Sequence, residues 1–455
     1  MARLFGTNGV RGVANKELTV EMVLKLAAAV GSYFGGEIAI GRDGRTTSPM
    51  FRDAAVSGLI SVGCKIRDAG MLPTPALQYA VKSGGFSGGV MITASHNPPE
   101  FNGLKVIAGD GVEASRVQET EIEGIFFGEG PEPSPWDGVG SIGRFEALTP
   151  YKEAVLSHVD LKVIRGARLG VALDPGNGVT ALSAPMIASE LGSGVFTINV
   201  EVDGRFPNRV SEPKPDNLGG LQRLVRSSGA DLGVAFDGDG DRSIFVDERG
   251  EVHWGDRIFA LLAREFVNQN LGARVASAVN SSQALHEVVE AAGGSIVWTR
   301  VGSVVISRTM VDKGIMFGGE ENGGIMYGPH LQVRDGSMAM ALVMEVMAKT
   351  GKPLSELISE LPQYSQMKTK IACPEELKPE VLEALRGRVE APKVDTIDGI
   401  KLVYDDRSWI LFRPSGTEPI YRIYAEAKSQ DRVEELIEEH SALIESVVDS
   451  LKNPS

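Results

Sequence analysis

Short apolar runs that open into polar, glycine-bearing loops recur along the first part of the chain. Glu37-Ile-Ala-Ile40 leads into Gly41-Arg-Asp-Gly-Arg45, Leu169-Gly-Val-Ala-Leu173 into Asp174-Pro-Gly-Asn-Gly178, and Val275-Ala-Ser-Ala-Val279 into Asn280-Ser-Ser-Gln283. Each run has the length of a buried strand and precedes a helical stretch, which predicts three α/β units of similar design. Thr19 ahead of Val20-Glu-Met-Val-Leu-Lys-Leu-Ala27 supplies a cap before helically spaced apolar positions, so an early amphipathic helix is expected. The tail differs in kind. Trp409-Ile-Leu-Phe412 and Ile420-Tyr-Arg-Ile-Tyr-Ala425 read as strands, and Val433, Leu436, Ile437, Leu443, Ile444, Val447, Val448 and Leu451 form one stripe of a closing helix, the pattern of a small α+β unit.

Boundaries are expected where periodicity fails. The stretch 128–143 is rich in proline and glycine, and Thr149-Pro150 reads as a helix cap with proline in the first turn. A second junction follows the hairpin-like Asp247-Glu-Arg-Gly250, before a helix starting near Asp256, and a third lies around Pro362 to Lys370. The resulting division is 1–149, 150–252, 253–366 and 367–455, with an α/β fold class: three similar α/β/α domains plus a smaller C-terminal α+β domain.

A chain of 455 residues is too long for one core. Its net charge of −14 argues against broad contact with nucleic acid or acidic membranes, so anionic small substrates would need local basic sites. Cys64 and Cys373 are too few for a disulfide framework or a thiolate zinc site, and no apolar run is long enough for a bilayer. A soluble protein of the reducing cytoplasm is expected; the sequence leaves a homo-oligomer open.

The chemistry concentrates in a few loops. Asp237, Asp239 and Asp241 alternate in Phe236-Asp-Gly-Asp-Gly-Asp-Arg242, directly after an apolar run. Three carboxylates so close repel one another unless a cation sits among them, and a hard divalent ion, Mg²⁺ first, suits oxygen ligands. Extended backbone would send the three side chains to one side, with Gly238 and Gly240 removing bulk between them. With Glu248 at the twelfth position the run follows a calcium-loop register, but Arg242 stands where that loop needs glycine and both flanks read as strands. Gly88-Gly-Val-Met-Ile-Thr93 reads as a buried strand running into Ala94-Ser95-His96-Asn97-Pro98-Pro99, which puts the Ser95 hydroxyl at a strand's carboxyl end, where α/β sheets place chemistry. That hydroxyl could carry a phosphoryl group, neutralised by the metal and paired by Arg242. Lys105 follows closely, and no local acid completes a hydrolytic triad. Arg413-Pro-Ser-Gly-Thr-Glu-Pro-Ile-Tyr-Arg422 combines guanidiniums, hydroxyls and a glycine N–H suited to a phosphate dianion, and Gly318-Gly-Glu-Glu-Asn-Gly-Gly324 suits sugar hydroxyls. Phe5-Gly-Thr-Asn-Gly-Val-Arg-Gly12 lacks the Walker lysine pattern. His253, His330 and His440 are read as structural.

Taken together, FGTNGVRG, TASHNP, DGDGDR, GEENGG and RPSGTEP, in that order over nearly the whole chain, resemble the α-D-phosphohexomutase family of phosphoglucomutases, phosphomannomutases and phosphoglucosamine mutases. The resemblance implies four domains around a central cleft. It implies that Ser95 is the phosphoserine, with Asp237, Asp239, Asp241 and a phosphate oxygen on Ser95 binding Mg²⁺. It further implies that Arg413, Ser415, Gly416, Thr417 and Arg422 hold the non-reacting phosphate, that Glu320 and Asn322 face the sugar, and that Arg11, His96 and Lys105 line the reaction centre. The implied partners are hexose phosphates, with a hexose 1,6-bisphosphate as intermediate and activator. Many members carry the sugar loop as GExSGH, where this chain has Asn322 and Gly324; without that histidine, Lys105 or His96 would manage the substrate proton. A metal-dependent sugar phosphatase and a non-catalytic sugar-phosphate sensor are the competing readings.

Overall fold

The computed structural model describes residues 4–6, 8–416 and 418–452. Among the described residues four sheets form. The first has six strands in the order Val10–Val13, Phe101–Ala108, Gly88–Ile92, Glu37–Arg42, Lys65–Met71, Ser141–Arg144. The second runs Val252–His253, Ser243–Asp247, Leu232–Phe236, Gly170–Asp174, Gly194–Thr197, and the third Ser295–Thr299, Arg274–Ala278, Phe317–Gly319, Ile325–Tyr327, Leu331–Arg334. The three expected strand runs, at Glu37, Gly170 and Arg274, occupy the same place in their sheets: each is flanked by two parallel neighbours. One neighbour in each sheet then turns back into an antiparallel partner. Those turns carry Ser95, the acidic run and the GEENGG run. One topological position, repeated in three sheets, thus holds three of the chemical loops. Their strands read as unbroken apolar runs because helices cover both faces.

The three α/β sheets share one large core, and each also closes a smaller one of its own. The helix Gly336–Thr350 is buried almost all round, with Met338, Met340, Met344 and Met347 in a cluster that also takes Leu77 and Val81 from the first unit and Tyr151, Leu173 and Phe236 from the second. Asp335 caps this helix, accepting from Met338 N at 3.0 Å and from the Tyr151 hydroxyl at 2.7 Å. Loops from different sheets therefore face one another across a rigid centre.

The fourth sheet is antiparallel throughout, in the order Ser365–Ala372, Ile420–Ala427, Trp409–Pro414, Ile400–Val403, Lys393–Asp395. The expected closing stripe packs from the helix Gln430–Lys452 through Val433, Leu436, Ile444, Val447 and Val448. His440 does pack: its ring stacks on Phe412 at 5.3 Å, and Leu436 O lies 2.9 Å from its Nδ1. The early helix spans Val20–Phe34, with Thr19 Oγ1 accepting from Met22 N.

Two local expectations change. The helix near Thr149 starts at Leu148, and Glu146 caps it, because the Glu146 carboxylate accepts from both Leu148 N and Thr149 N. The glycine- and proline-rich stretch also ends in a strand, Ser141–Arg144, paired in parallel with Lys65–Met71. Among the described residues no helix is long and apolar enough to cross a membrane, and both cysteines are free and buried.

Where the fourth unit meets the third, the Gln366 side-chain amide donates to Asp256 at 2.7 Å and to Glu426 at 2.5 Å. Burial, with Glu426 and Glu321 nearby, pushes the Asp256 carboxyl up to about 7, against the neighbouring Arg257. The folded protein then keeps a proton on Asp256 that the unfolded chain has released above its ordinary value of 3.8. Its contribution is present at low pH and is lost as pH rises toward 7, with a slope of up to about 1.4 kcal/mol per pH unit. Asp256→Asn should therefore flatten the fall in melting temperature between pH 5 and 7.5; an unchanged profile would remove Asp256 as its source.

Candidate active site

Ser95 sits in the turn after Gly88–Ile92 with φ +51°, a left-handed conformation unusual for a residue with a side chain. Several contacts hold it there. Ser95 N donates to Thr93 Oγ1 at 2.9 Å, and Thr93 donates to Asp43 at 2.7 Å. Beneath the turn, the buried Arg45 guanidinium donates to the carbonyls of Ser95, Asn97, Pro98 and Phe101 and pairs with Asp43 at 3.1 Å. Arg11 reaches the same turn from the strand Val10–Val13, donating to Asn97 Oδ1 at 2.8 Å and Ala94 O at 3.3 Å.

Arg45 was not among the residues expected at the site. Its signal was the arginine in Gly41-Arg-Asp-Gly-Arg45, but nothing in the local pattern says which loop it supports. Arg45→Met would leave buried Asp43 without its ion partner and four carbonyls without this donor, so a loss of roughly 3–5 kcal/mol in urea unfolding is expected. A loss below about 1 kcal/mol would mean that solvent or other donors replace it.

The acidic run joins Leu232–Phe236 to Ser243–Asp247, and its carboxylates converge: one oxygen from each of Asp237, Asp239 and Asp241 lies within 4.8 Å of the others, all buried. A tight turn achieves this, not extended alternation. Gly240 has φ +78° and its N–H donates to Asp237 O at 3.3 Å. Gly238 serves a different end, since a Cβ there would lie 2.5 Å from Ser95 O. It lets the acidic turn pass against the serine turn. The outcome is a direct bond: Ser95 Oγ donates to Asp237 Oδ2 at 2.8 Å, while His96 Nδ1 lies 3.3 Å from the same hydroxyl.

Four cations surround this cluster. Lys105, on Phe101–Ala108, pairs with Asp239 at 2.7 Å and Asp241 at 2.9 Å. Arg334 pairs with Asp241 at 2.5 Å and with Glu320 at 3.1 Å. Arg242 stands 3.4 Å from Glu212, its Nε buried without a hydrogen-bond partner among the described residues, and Arg11 completes the set. Burial and repulsion from Asp241 and Asp239 push the Asp237 carboxyl up to about 8. Against burial, Arg334, Lys105 and Arg242 hold Asp241 well below the carboxylate range, and Asp239 and Asp241 in turn raise Lys105. Burial, then Arg242 and Arg11, holds His96 well below its ordinary value, which leaves a neutral imidazole beside Ser95. The donor set fits a hard divalent cation. Asp239 Oδ1 and Asp241 Oδ1 are buried without hydrogen-bond partners among the described residues, and a cation would satisfy both.

Glu320 and Asn322 lie in the turn between Phe317–Gly319 and Ile325–Tyr327. Glu320 faces Arg334, and Asn322 Oδ1 has no hydrogen-bond partner among the described residues. Beside Asn322, Glu321 accepts from Trp254 Nε1 at 2.7 Å and pairs with Lys368 of the fourth sheet at 2.6 Å. Arg413, Ser415, Gly416 and Arg422 group separately from the acidic cluster. Lys378 props their loop by donating to Ser415 O at 2.5 Å and Glu418 O at 2.7 Å. Arg413 pairs with Asp398 and Arg422 with Glu418, both at 2.5 Å, and Thr417 lies outside the described residues. A cavity of about 480 Å³ is lined by Arg422, Glu418, Lys370 and Lys368, and Lys368 is also the residue that pairs with Glu321 of the GEENGG turn. Sequence reading also missed Arg334 and Thr74, whose hydroxyl donates to Asp239 at 2.5 Å.

Known proteins share this architecture along its length. Family profiles described as phosphoglucomutase/phosphomannomutase, alpha/beta/alpha domains I, II and III, match residues 2–132, 149–250 and 254–364, and the C-terminal domain of that family matches 369–442. A phosphoglucomutase/phosphomannomutase of Thermococcus kodakarensis is 40% identical over 98% of this chain and 100% of its own. A phosphoglucosamine/phosphogalactosamine mutase of Sulfurisphaera tokodaii is 43% identical over 98% of this chain and all of its own. In three dimensions, a phosphoglucomutase/phosphomannomutase family protein from Burkholderia thailandensis superposes with a TM-score of 0.87 at 26% identity, covering 97% of each chain. Three like α/β units and an α+β unit, shared throughout with these mutases, define a phosphosugar mutase, a phosphotransferase of the isomerase class. The chain belongs to the phosphoglucomutase/phosphomannomutase family.

Proposed function

We propose that the enzyme moves a phosphoryl group between C1 and C6 of hexose phosphates through a phosphoserine at Ser95 and a hexose 1,6-bisphosphate. The observation that carries this reading is the 2.8 Å bond from Ser95 Oγ to Asp237, which joins an alcohol from one sheet to a cation-binding loop from another. Asp237, Asp239 and Asp241 would hold Mg²⁺, which supplies charge neutralisation for the transferring group.

The chain's own residues carry the rest. The sugar hydroxyl oxygen attacks phosphorus, the bond from phosphorus to Ser95 Oγ breaks, and the hydroxyl proton passes by way of a base to the departing Ser95 Oγ. The neutral His96 imidazole suits that task better than Lys105, which Asp239 and Asp241 keep protonated. Arg11, Lys105 and Arg242 balance charge as it spreads over the phosphoryl oxygens. Arg413, Ser415, Gly416, Thr417 and Arg422 hold the other phosphate, with Arg422 released from Glu418 and Arg413 from Asp398, and Glu320 and Asn322 receive the sugar hydroxyls. The bisphosphate turns and returns its second phosphoryl to Ser95.

Coupled assays on glucose 1-phosphate, mannose 1-phosphate and glucosamine 6-phosphate, with inorganic phosphate followed in parallel, test the reading. Isomer formation with little phosphate release is expected on at least one of them. Stoichiometric phosphate release would make the enzyme a phosphatase, and binding without turnover would make it a sensor.

A further inference from the structure

Arg334 is 4% exposed and spans two loops from different sheets, donating through Nη2 to Asp241 and through Nη1 to Glu320. Its backbone is fixed on a rigid element: it ends the strand Leu331–Arg334 and directly precedes Asp335, the cap of the buried helix Gly336–Thr350. The first N–H of that helix, at Gly336, donates to Gly240 O at 3.1 Å, so the acidic turn is anchored to the same corner.

The sugar loop is shaped around this arginine. A Cβ at position 324 would lie 2.4 Å from Arg334 Cδ and 2.9 Å from Cγ, although Gly324 has no left-handed φ that would itself call for glycine. Clearance for the arginine stem explains the residue. The same turn is closed by Glu320 N donating to Gly324 O at 3.0 Å, so the residue that yields space and the residue that receives the guanidinium move together. Gly324 is also where this chain departs from the GExSGH form.

Resting on the mutase reading above, we propose that Arg334 is a positioning residue that couples cation binding at the acidic turn to the placement of Glu320 for the sugar, with Gly324 as its required clearance. Two electrostatic facts give the coupling a sign. Arg334 puts a positive charge on an oxygen of Asp241, so it opposes a divalent cation there. It also holds Glu320, so removing it frees the sugar loop. A planar guanidinium can serve two carboxylates in different directions, which a lysine ammonium reaching one of them does not reproduce.

The test uses the full chain as parent, Arg334→Lys, Arg334→Ala, Gly324→Ala and the Arg334→Ala/Gly324→Ala double variant. Mn²⁺ is titrated calorimetrically, and KM and kcat are measured on the hexose phosphate that the parent turns over. For Arg334→Ala, Mn²⁺ should bind about tenfold tighter while KM rises about tenfold or more and kcat changes less. Arg334→Lys should keep near-parental Mn²⁺ affinity yet share the raised KM, and Gly324→Ala alone should raise KM. Added to Arg334→Ala, Gly324→Ala should do nothing further, because its clash partner is gone. Mn²⁺ affinity and KM worsening together in Arg334→Ala, as loosened folding would produce, or Gly324→Ala keeping its full effect in the double variant, would overturn the coupling. If the parent turns over no hexose phosphate, the mutase reading fails separately; the coupling is then judged by Mn²⁺ affinity and by melting shifts with glucose 1-phosphate.

Discussion

Ser95→Ala should reduce mutase turnover by roughly 10⁴-fold or more, the scale on which loss of a covalent nucleophile acts. The fold should remain. Only the hydroxyl is lost, and the turn keeps Arg45 on its carbonyls and Thr93 on its N–H. What disappears is the proposed acceptor for the phosphoryl group, beside Asp237 at 2.8 Å and His96 at 3.3 Å. Intact mass should show one phosphate on the parent after incubation with substrate, mapped by peptide spectra to Ser95, and none on the variant. An active Ser95→Ala protein, or phosphate mapped to another side chain, would end the phosphoserine mechanism.

The second large effect is a reversal of stability order. Without divalent cation, three carboxylates share a buried turn, and Asp237 is the one whose nearest partner is the neutral Ser95 hydroxyl rather than a lysine or arginine. Asp237→Asn removes the cost of burying that carboxyl beside the other two, which pushes it up to about 8, and keeps a carbonyl oxygen for the N–H donors of Gly240 and Arg242, now 3.0 and 3.2 Å away. In chelator the variant should therefore melt above the parent. With Mg²⁺ or Mn²⁺ at about 100 times its dissociation constant the parent should gain about 2.7 kcal/mol and overtake it, while the variant gains little and loses turnover. A parent whose melting temperature ignores both ions would show that the acidic turn is no cation site, and the neutralisation argument would go with it.

The basic loop of the fourth unit differs from these clusters in how ready it is. Arg413 and Arg422 are each held by a carboxylate, Asp398 and Glu418, so the phosphate proposed to bind here would have to exchange partners with them. Exchange at Arg422 costs little, since that pair is well exposed and surface ion pairs contribute only about 0–1 kcal/mol. Lys378 holds the loop's carbonyls whatever the two arginines do.

Local pattern was enough to single out the candidate loops of this protein. Ser95 after an apolar run, the alternating aspartates, the GEENGG turn and the arginine-serine loop were legible because strand ends, turn glycines and charge spacing are written over a few neighbouring residues. Tertiary structure alone decided which of them meet. Ser95 and Asp237 are 142 positions apart, and Arg334 lies 93 from Asp241. They touch because three sheets place equivalent turns around one shared helix, an arrangement governed by packing between layers rather than by local periodicity. The same reason hid Arg45 beneath the serine turn, 50 positions away, while Gly324 takes its meaning from Arg334 on the strand that folds back antiparallel beside it.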